Sequence, residues 1–385
     1  MSVHIYISLI GEVARYKLMF NHRFIQLSLA VALLLLLLLN GLYYMMPYSA
    51  TNPYEYFQTR ELMTYELLNI FIGGTTVPFL ALIIGYTMSS MRKWVKPSKL
   101  LTTGILLMLG SVLIAIFIFG FEQFPFIMFA SIVAILFLRS HWMVLVISSI
   151  VIYILYIMAS ILPSYLSTIV SNYDGIYSAI QEITEYTRVF SSSDYFAILG
   201  LNFSLFTGNF FEALYASMFT VLPWILVGIF AHKIQIEKVI EEHTLMFFIL
   251  FATLVSSSVA LKLIQMFALG SYSGSLISDN IAGPLLAISY FLFLAFIINI
   301  TPRRATYVLE VLGKRALTAY LISHITYFII YYGVGFSMYG EVSLMRSLMT
   351  TFIMFMALLV LAHIAKHYKI KTIEDYLFSN IKIQT

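Results

Sequence analysis

Along the chain, runs of about twenty apolar residues alternate with short polar breaks, and the run AVALLLLLLL at 30–39 shows no alternation of period two. That excludes the strands of a membrane β-barrel. A helix of roughly 20 residues spans a hydrocarbon core of about 30 Å and satisfies its own backbone polar groups there. The windows predict ten transmembrane helices, at 26–46, 67–88, 100–120, 125–139, 142–162, 209–231, 245–268, 281–300, 315–337 and 347–366. The expected fold is therefore all-α, a polytopic membrane helix bundle forming a single integral membrane domain over 1–385.

Charge orders the connections. With ten spans, all but Arg60, Arg188, Lys262 and Arg346 of the 22 Lys and Arg residues fall on one side, including Arg15, Lys17, Arg23, Arg92, Lys93 and Lys382. Glu55, Glu61, Asp174, Glu182, Glu185, Asp194, Asp279 and Glu341 fall on the other. By the positive-inside rule both termini are expected to be cytoplasmic. The extracytoplasmic loop at 163–208 carries Ile176, Ile180, Ile183 and Tyr186 at helical spacing, which predicts a short amphipathic helix on the outer surface. Residues 367–385 form the expected cytoplasmic tail.

Composition agrees. The 385 residues are 61% hydrophobic and 10% charged, against about 25% charged in soluble domains. There is no cysteine, which excludes disulfides, thiolate metal sites and cysteine nucleophiles. The first apolar run follows Arg15, Lys17, His22 and Arg23 and lacks an A-x-A-like cleavage site, so it reads as a retained span.

The segment LGKRALTAYLISHITYFII (312–330) carries unusual polarity for a span. Tyr320, Ser323, His324, Tyr327 and Tyr331 share one helical face. A histidine inside a membrane needs a cavity or a partner. Either His324 is a general base or proton relay, or the face is an interhelical hydrogen-bonding seam. Arg315 and Thr318 join Tyr320, Ser323, His324 and Tyr327 as candidate substrate-binding residues, with Asn40, Glu122, Glu212 and Lys262 as weaker ones. Lys262 is expected to snorkel to the outer headgroups, and Glu212 to pair with Arg60 or Arg188. No metal site is expected: His363 and His367 lack an acidic or third ligand nearby in sequence. No cofactor is expected either, since GGTT (73–76) lacks the Lys of a phosphate loop. Membrane lipids, not nucleic acid, are the expected partners of the basic loops. Pro and Gly at 73–78, 223–228 and 283–284 permit the interrupted helices that transporters use.

The stretch TPRRATYVLEVLGKRALTAYLISH (301–324) resembles the C-terminal signature of the domain-of-unknown-function 418 family of bacterial multispanning proteins. Gly313, Arg315, Ala316, Leu317, Thr318, Tyr320 and Leu321 carry the likeness, and GPLLAISYF (283–291), VLPWILVGIFAHK (221–233) and VPFLALIIGYTMSSMRK (77–93) extend it. That family is similar to the transmembrane acyltransferases, which implies a bacterial cytoplasmic membrane location and a lipid or glycan substrate of the cell envelope. The chain departs from the pattern. Gln26, Leu29 and Ala30 replace an Asp and an Arg-Gly pair while Asn40 is kept, Leu113 stands where a His is common, Gly120 and Glu122 stand for a Gly-Asp pair, and Glu374 lacks its flanking Trp and Arg. The resemblance thus implies a protein handling a lipid or acyl-carrying substrate, with an active acyltransferase, a transporter and an accessory subunit for envelope stress or antimicrobial resistance as alternatives.

Overall fold

The computed structural model describes residues 23–92, 94–171, 175, 178–267 and 271–379. Arg15, Lys17, His22, Lys93, Asp174, Ile176 and Lys382 lie outside the described residues. Regular structure among the described residues is helical, apart from one isolated bridge between Gly175 and Ser271.

In chain order the helices are α1 (Arg23–Met45), α2 (Thr59–Ile72), α3 (Thr76–Met91), α4 (Pro97–Phe117), α5 (Phe124–Phe137) and α6 (Trp142–Ser171). There follow α7 (Ile180–Phe190), α8 (Tyr195–Gly208), α9 (Phe210–Thr220), α10 (Leu222–Lys233), α11 (Ile236–Glu242) and α12 (Thr244–Phe267). The last are α13 (Tyr272–Ile300), α14 (Arg303–Gly313), α15 (Ala316–Tyr331), α16 (Leu344–His367) and α17 (Ile373–Ser379). Each of the ten predicted windows falls on helical chain, with 67–88 and 209–231 each running across two consecutive helices. Eight of the helical segments among the described residues are long and apolar enough to cross a membrane, with α2–α3 and α9–α10 each counted as one. The windows at 125–139 and 315–337 correspond to the shorter apolar helices α5 and α15. The chain is an all-α polytopic membrane bundle.

Segment 163–208 differs from the single short helix expected there. α6 runs on to Ser171, α7 buries Tyr186, Val189 and Phe190 while Ile180 of the predicted apolar face is exposed, and α8 is an additional apolar helix. Asp194 opens α8 by accepting from the backbone N–H groups of Phe196 and Ala197, a cap that a sequence window spanning an acidic loop obscures.

α1 is the centre of the bundle. Its apolar residues lie on every side, so it buries Leu27, Ala30, Leu33 and Leu37 against α3, α13, α14, α15 and α16. α4, α6 and α12 form the rim and turn Leu109, Leu113, Ile147, Val151 and Ile249 outward. Leu113 therefore faces the position of lipid, which suits a leucine.

Small residues bring the inner helices to backbone contact. A Cβ on Gly85 would strike the backbone of Ile225, and one on Gly228 would strike that of Leu82 and Tyr86, so α3 and α10 touch main chain to main chain. Gly313 likewise ends α14 against the Gln26 carbonyl of α1. Three spans are interrupted at the Pro and Gly positions noted in the sequence: α2 gives way to α3 at 73–75, α9 to α10 at Val221, and α13 contains a π-helical segment at Ser278–Ala282; α6 carries a further π-helical segment at Ile157–Ile161. Gly74 has φ +61 and meets the Asp279 backbone, and Gly283 packs on Gly74. The first and third interruptions are thus in direct contact.

Gly228→Leu should separate α3 from α10 and destabilise the protein by at least about 1–3 kcal/mol, the usual cost of overpacking. Gly110→Leu, placed where a side chain meets open space, should stay within about 0.5 kcal/mol of wild type. Tryptophan fluorescence during denaturation in detergent measures both, and equal stabilities would refute this account of the packing.

Candidate functional site

The polar face of α15 is turned fully inward. Tyr320, Ser323, His324, Tyr327 and Tyr331 are all buried, and each has a defined partner. Tyr327 Oη donates to the Leu37 carbonyl at 2.8 Å and lies 2.7 Å from Thr351 Oγ1. Tyr331 Oη donates to Ser347 Oγ at 2.9 Å, and Ser323 Oγ donates to the Tyr320 carbonyl at 2.6 Å. These three bind α15 to its neighbours and to itself, the seam reading of the face.

Tyr320 and His324 do something different. Glu122, from the turn between α4 and α5, is 3% exposed and receives Tyr320 Oη at 2.9 Å on both carboxylate oxygens. The Phe124 N–H at the start of α5 donates to Oε1 at 2.8 Å, and His324 Nε2 lies 3.2 Å from Oε2. Every one of these partners can donate, the surroundings that suit a carboxylate. His324 is itself fully buried, with Nδ1 2.9 Å from Tyr44 Oη. With the proton on Nε2, the imidazole donates to Glu122 and accepts from Tyr44. Asn40 Nδ2 is 3.4 Å from Nε2 and can donate to it when the proton moves to the carboxylate. Phe119 stacks on Tyr44 at 4.3 Å and closes the apolar side of the ring pair.

Three cavities meet at this cluster. An apolar cavity of about 220 Å³ runs between α1, α3, α4, α5 and α15, lined by Leu33, Ile84, Leu107, Met128, Leu317 and, at its polar end, Tyr320. Tyr320 also lines a second cavity of about 20 Å³ with Asn40 and Glu122, space for about one water. Glu122 and Gln123 then line a third cavity of about 290 Å³, bounded by Phe206 and Asn209. The Tyr320–Glu122 hydrogen bond stands where these spaces adjoin. His324 lines none of the three and lies behind Glu122.

The other candidate residues are dispersed. Thr318, at the first turn of α15, gives its N–H to Glu374 Oε1 at 2.9 Å and its hydroxyl to Oε2 at 2.6 Å. The tail carboxylate thus caps the helix that carries the site. Arg315 is half-buried and donates to the Val311 carbonyl at 3.3 Å, while its Nε has no partner. Glu212 is exposed and forms no ion pair with Arg60 or Arg188 among the described residues, contrary to expectation. Glu61 instead accepts from the Leu344 N–H at the start of α16.

Lys262 also departs from expectation. It is 2% exposed, and it turns inward to donate to the carbonyls of Asn69, at 2.9 Å, and Gly73. The Asn69 carbonyl also accepts from the Gly73 N–H and the Gly73 carbonyl from Thr75 Oγ1, so Lys262 adds a second, charged donor to each where α2 ends, and a cation is favoured at a helix C-terminus. Asn69 Nδ2 adds a bond to Gln265 one turn along α12. The snorkelling expectation fails because the acceptors belong to an interruption almost two hundred residues away in the chain.

Sequence reasoning overlooked Tyr44, which holds the far side of His324, and ranked Glu122 low. Glu122 sits in GFEQFP, a polar break of the kind that normally lies outside the membrane. Only its stand-in for an acidic family position pointed to it.

Residues 229–369 match the model of the family described as "Protein of unknown function (DUF418)". No curated protein and no solved structure matches the chain. The matched segment includes His324, Tyr320 and Lys262, whereas Asn40, Tyr44 and Glu122 come from the half before it.

Lys262→Met should cost about 1–3 kcal/mol in all, because it removes the charge-assisted bonds to two carbonyls that each keep another donor. A lysine directed to the headgroups would cost almost nothing to replace. Equilibrium unfolding of the purified variant distinguishes the two, and wild-type stability would contradict the inward position.

Proposed function

Since residues 229–369 match the model of the family of unknown function 418, we propose that the chain handles a lipid or acyl-carrying substrate in the bacterial cytoplasmic membrane. The supporting observation is the apolar cavity of about 220 Å³ that ends on a buried Tyr320–Glu122 pair. Its aliphatic walls suit a hydrocarbon chain. The chain's polar end would then lie beside the Tyr320–Glu122 pair, where Tyr320 or Glu122 can bond a hydroxyl or ester oxygen.

A second reading, acyl transfer, draws on the 3.2 Å contact between His324 and Glu122. Glu122, which lines two cavities, is the group placed to take a proton from an acceptor hydroxyl. His324 is a positioning residue in that reading, because it reaches the cavities only through the carboxylate. This reverses the roles that the sequence suggested for the two.

Native mass spectrometry of the purified protein tests the first reading. Wild type should retain phospholipid, and Gly104→Phe, which fills the cavity wall between α4 and α5, should retain at least about fivefold less, the equivalent of roughly 1 kcal/mol. Equal retention would overturn it. Lipid and envelope-glycan mass spectra from cells with wild type, a deletion and Glu122→Gln at matched expression test the second. An acylated species lost in both the deletion and the variant supports transfer, and an unchanged profile removes it.

A further inference from the structure

A further cavity, larger than those at the site above, is separate from it. It has a volume of about 750 Å³ and opens where the ends of α1, α3 and α10 meet α11. Arg23, Arg92, Lys233 and Lys238 line it together with Ser89 and His232, and Glu237 is the acidic residue among the described lining. Among the described lining four cations face one carboxylate, and with Arg23 paired to Glu310 the excess is still positive; a cleft lined by one sign of charge concentrates counter-ions.

The cations differ in how far they are neutralised. Arg23 donates to Glu310 at 2.9 Å, an acid it shares with Arg303, and to Thr306 and the Ile298 carbonyl. Arg92 and Lys233 are each held by a neutral carbonyl of the turn after α5, that of Leu138 at 2.8 Å and that of Ser140. The two anchor atoms are two residues apart in the chain, so both charges are fixed side by side at the cleft wall. Neither they nor Lys238 has a carboxylate partner among the described residues. Tyr86 donates its hydroxyl to Glu237, which occupies part of the one acid present. Ser89 Oγ lies 2.9 Å from His232 Nδ1, adding two hydrogen-bonding groups beside Arg92.

Basic residues that merely set membrane orientation lie in loops and spread into the headgroup layer. Here four elements direct them into one cleft, with guanidinium N–H groups of Arg92 beyond the one that Leu138 engages. Arginine's planar fork matches phosphate oxygens in pairs, and lysine supplies a compact charge. We propose that this cleft is a binding site for a phosphate-bearing ligand, either the headgroup of an anionic lipid or a soluble phosphorylated compound. The site is independent of the lipid-handling reading, since none of its lining residues lines the apolar cavity.

The test uses the full chain in nanodiscs of phosphatidylcholine, titrated with pyrophosphate by isothermal calorimetry at low and high salt. Saturable binding is expected. It should weaken as salt rises, by about threefold in Lys238→Gln and at least about tenfold in Arg92→Gln/Lys238→Gln, on the scale of one lost charge-assisted bond. Lys238 is exposed and is tied to its helix by its backbone, whose N–H bonds the Gln235 carbonyl, so the single variant decides if the double variant fails to fold. No saturable binding in wild type, or the same affinity in Lys238→Gln and the double variant, would overturn the proposal. Discs containing phosphatidylglycerol separate the sources. Pyrophosphate binding suppressed there, with suppression relieved in Lys238→Gln, assigns the cleft to lipid headgroups, and undiminished binding assigns it to a soluble ligand.

Discussion

The contact of α3 with α10 at Gly85 and Gly228 is the constraint on which the rest of the bundle depends. Two helices meeting main chain to main chain leave no depth for side chains between them, so each must send its long residues sideways. α3 sends Leu80, Ile84 and Met88 to the apolar cavity and Tyr86, Ser89 and Arg92 to the basic cleft. One helix is therefore the wall between the two largest differences in chemistry in the molecule. The same economy of backbone recurs at Gly313 against α1 and at Gly283 against Gly74.

Interrupted helices inside a membrane need internal partners for the backbone groups they release. The break at 73–75 receives them from Lys262, whose ammonium supplies donors to two carbonyls. The arrangement joins α2, α3, α12 and α13 at one point. It also explains why an isolated lysine in an apolar span is held inside the bundle rather than at its margin.

The spans were legible because apolar length is a local property: each of the ten windows became helix, two of them as interrupted pairs, and the helical spacing at 180–186 lies in α7, whose buried face is set further along by Tyr186, Val189 and Phe190. α8 was not, since its apolar run is shorter and begins beside Asp194. For the site, periodicity placed Tyr320, His324 and Tyr327 on one face of α15, which the structure buries together. Their partners were beyond reach. Glu122 lies in what reads as an outer turn, Tyr44 among other aromatics at the end of α1, and nothing local says that either turns toward α15. Lys262 was misjudged for the same reason, because its acceptors exist only where α2 stops. Non-local pairing, not residue chemistry, set the limit.

Glu374 bonds both the N–H and the hydroxyl of Thr318, so the helix bearing His324 is capped by a residue from the last element described. During synthesis α1 through α5, with Asn40, Tyr44 and Glu122, emerge long before α15, and α15 emerges before its cap. The histidine cluster can thus form only once α15 has followed α1 through α5, and the first turn of α15 gains its cap only when Glu374 has followed in turn.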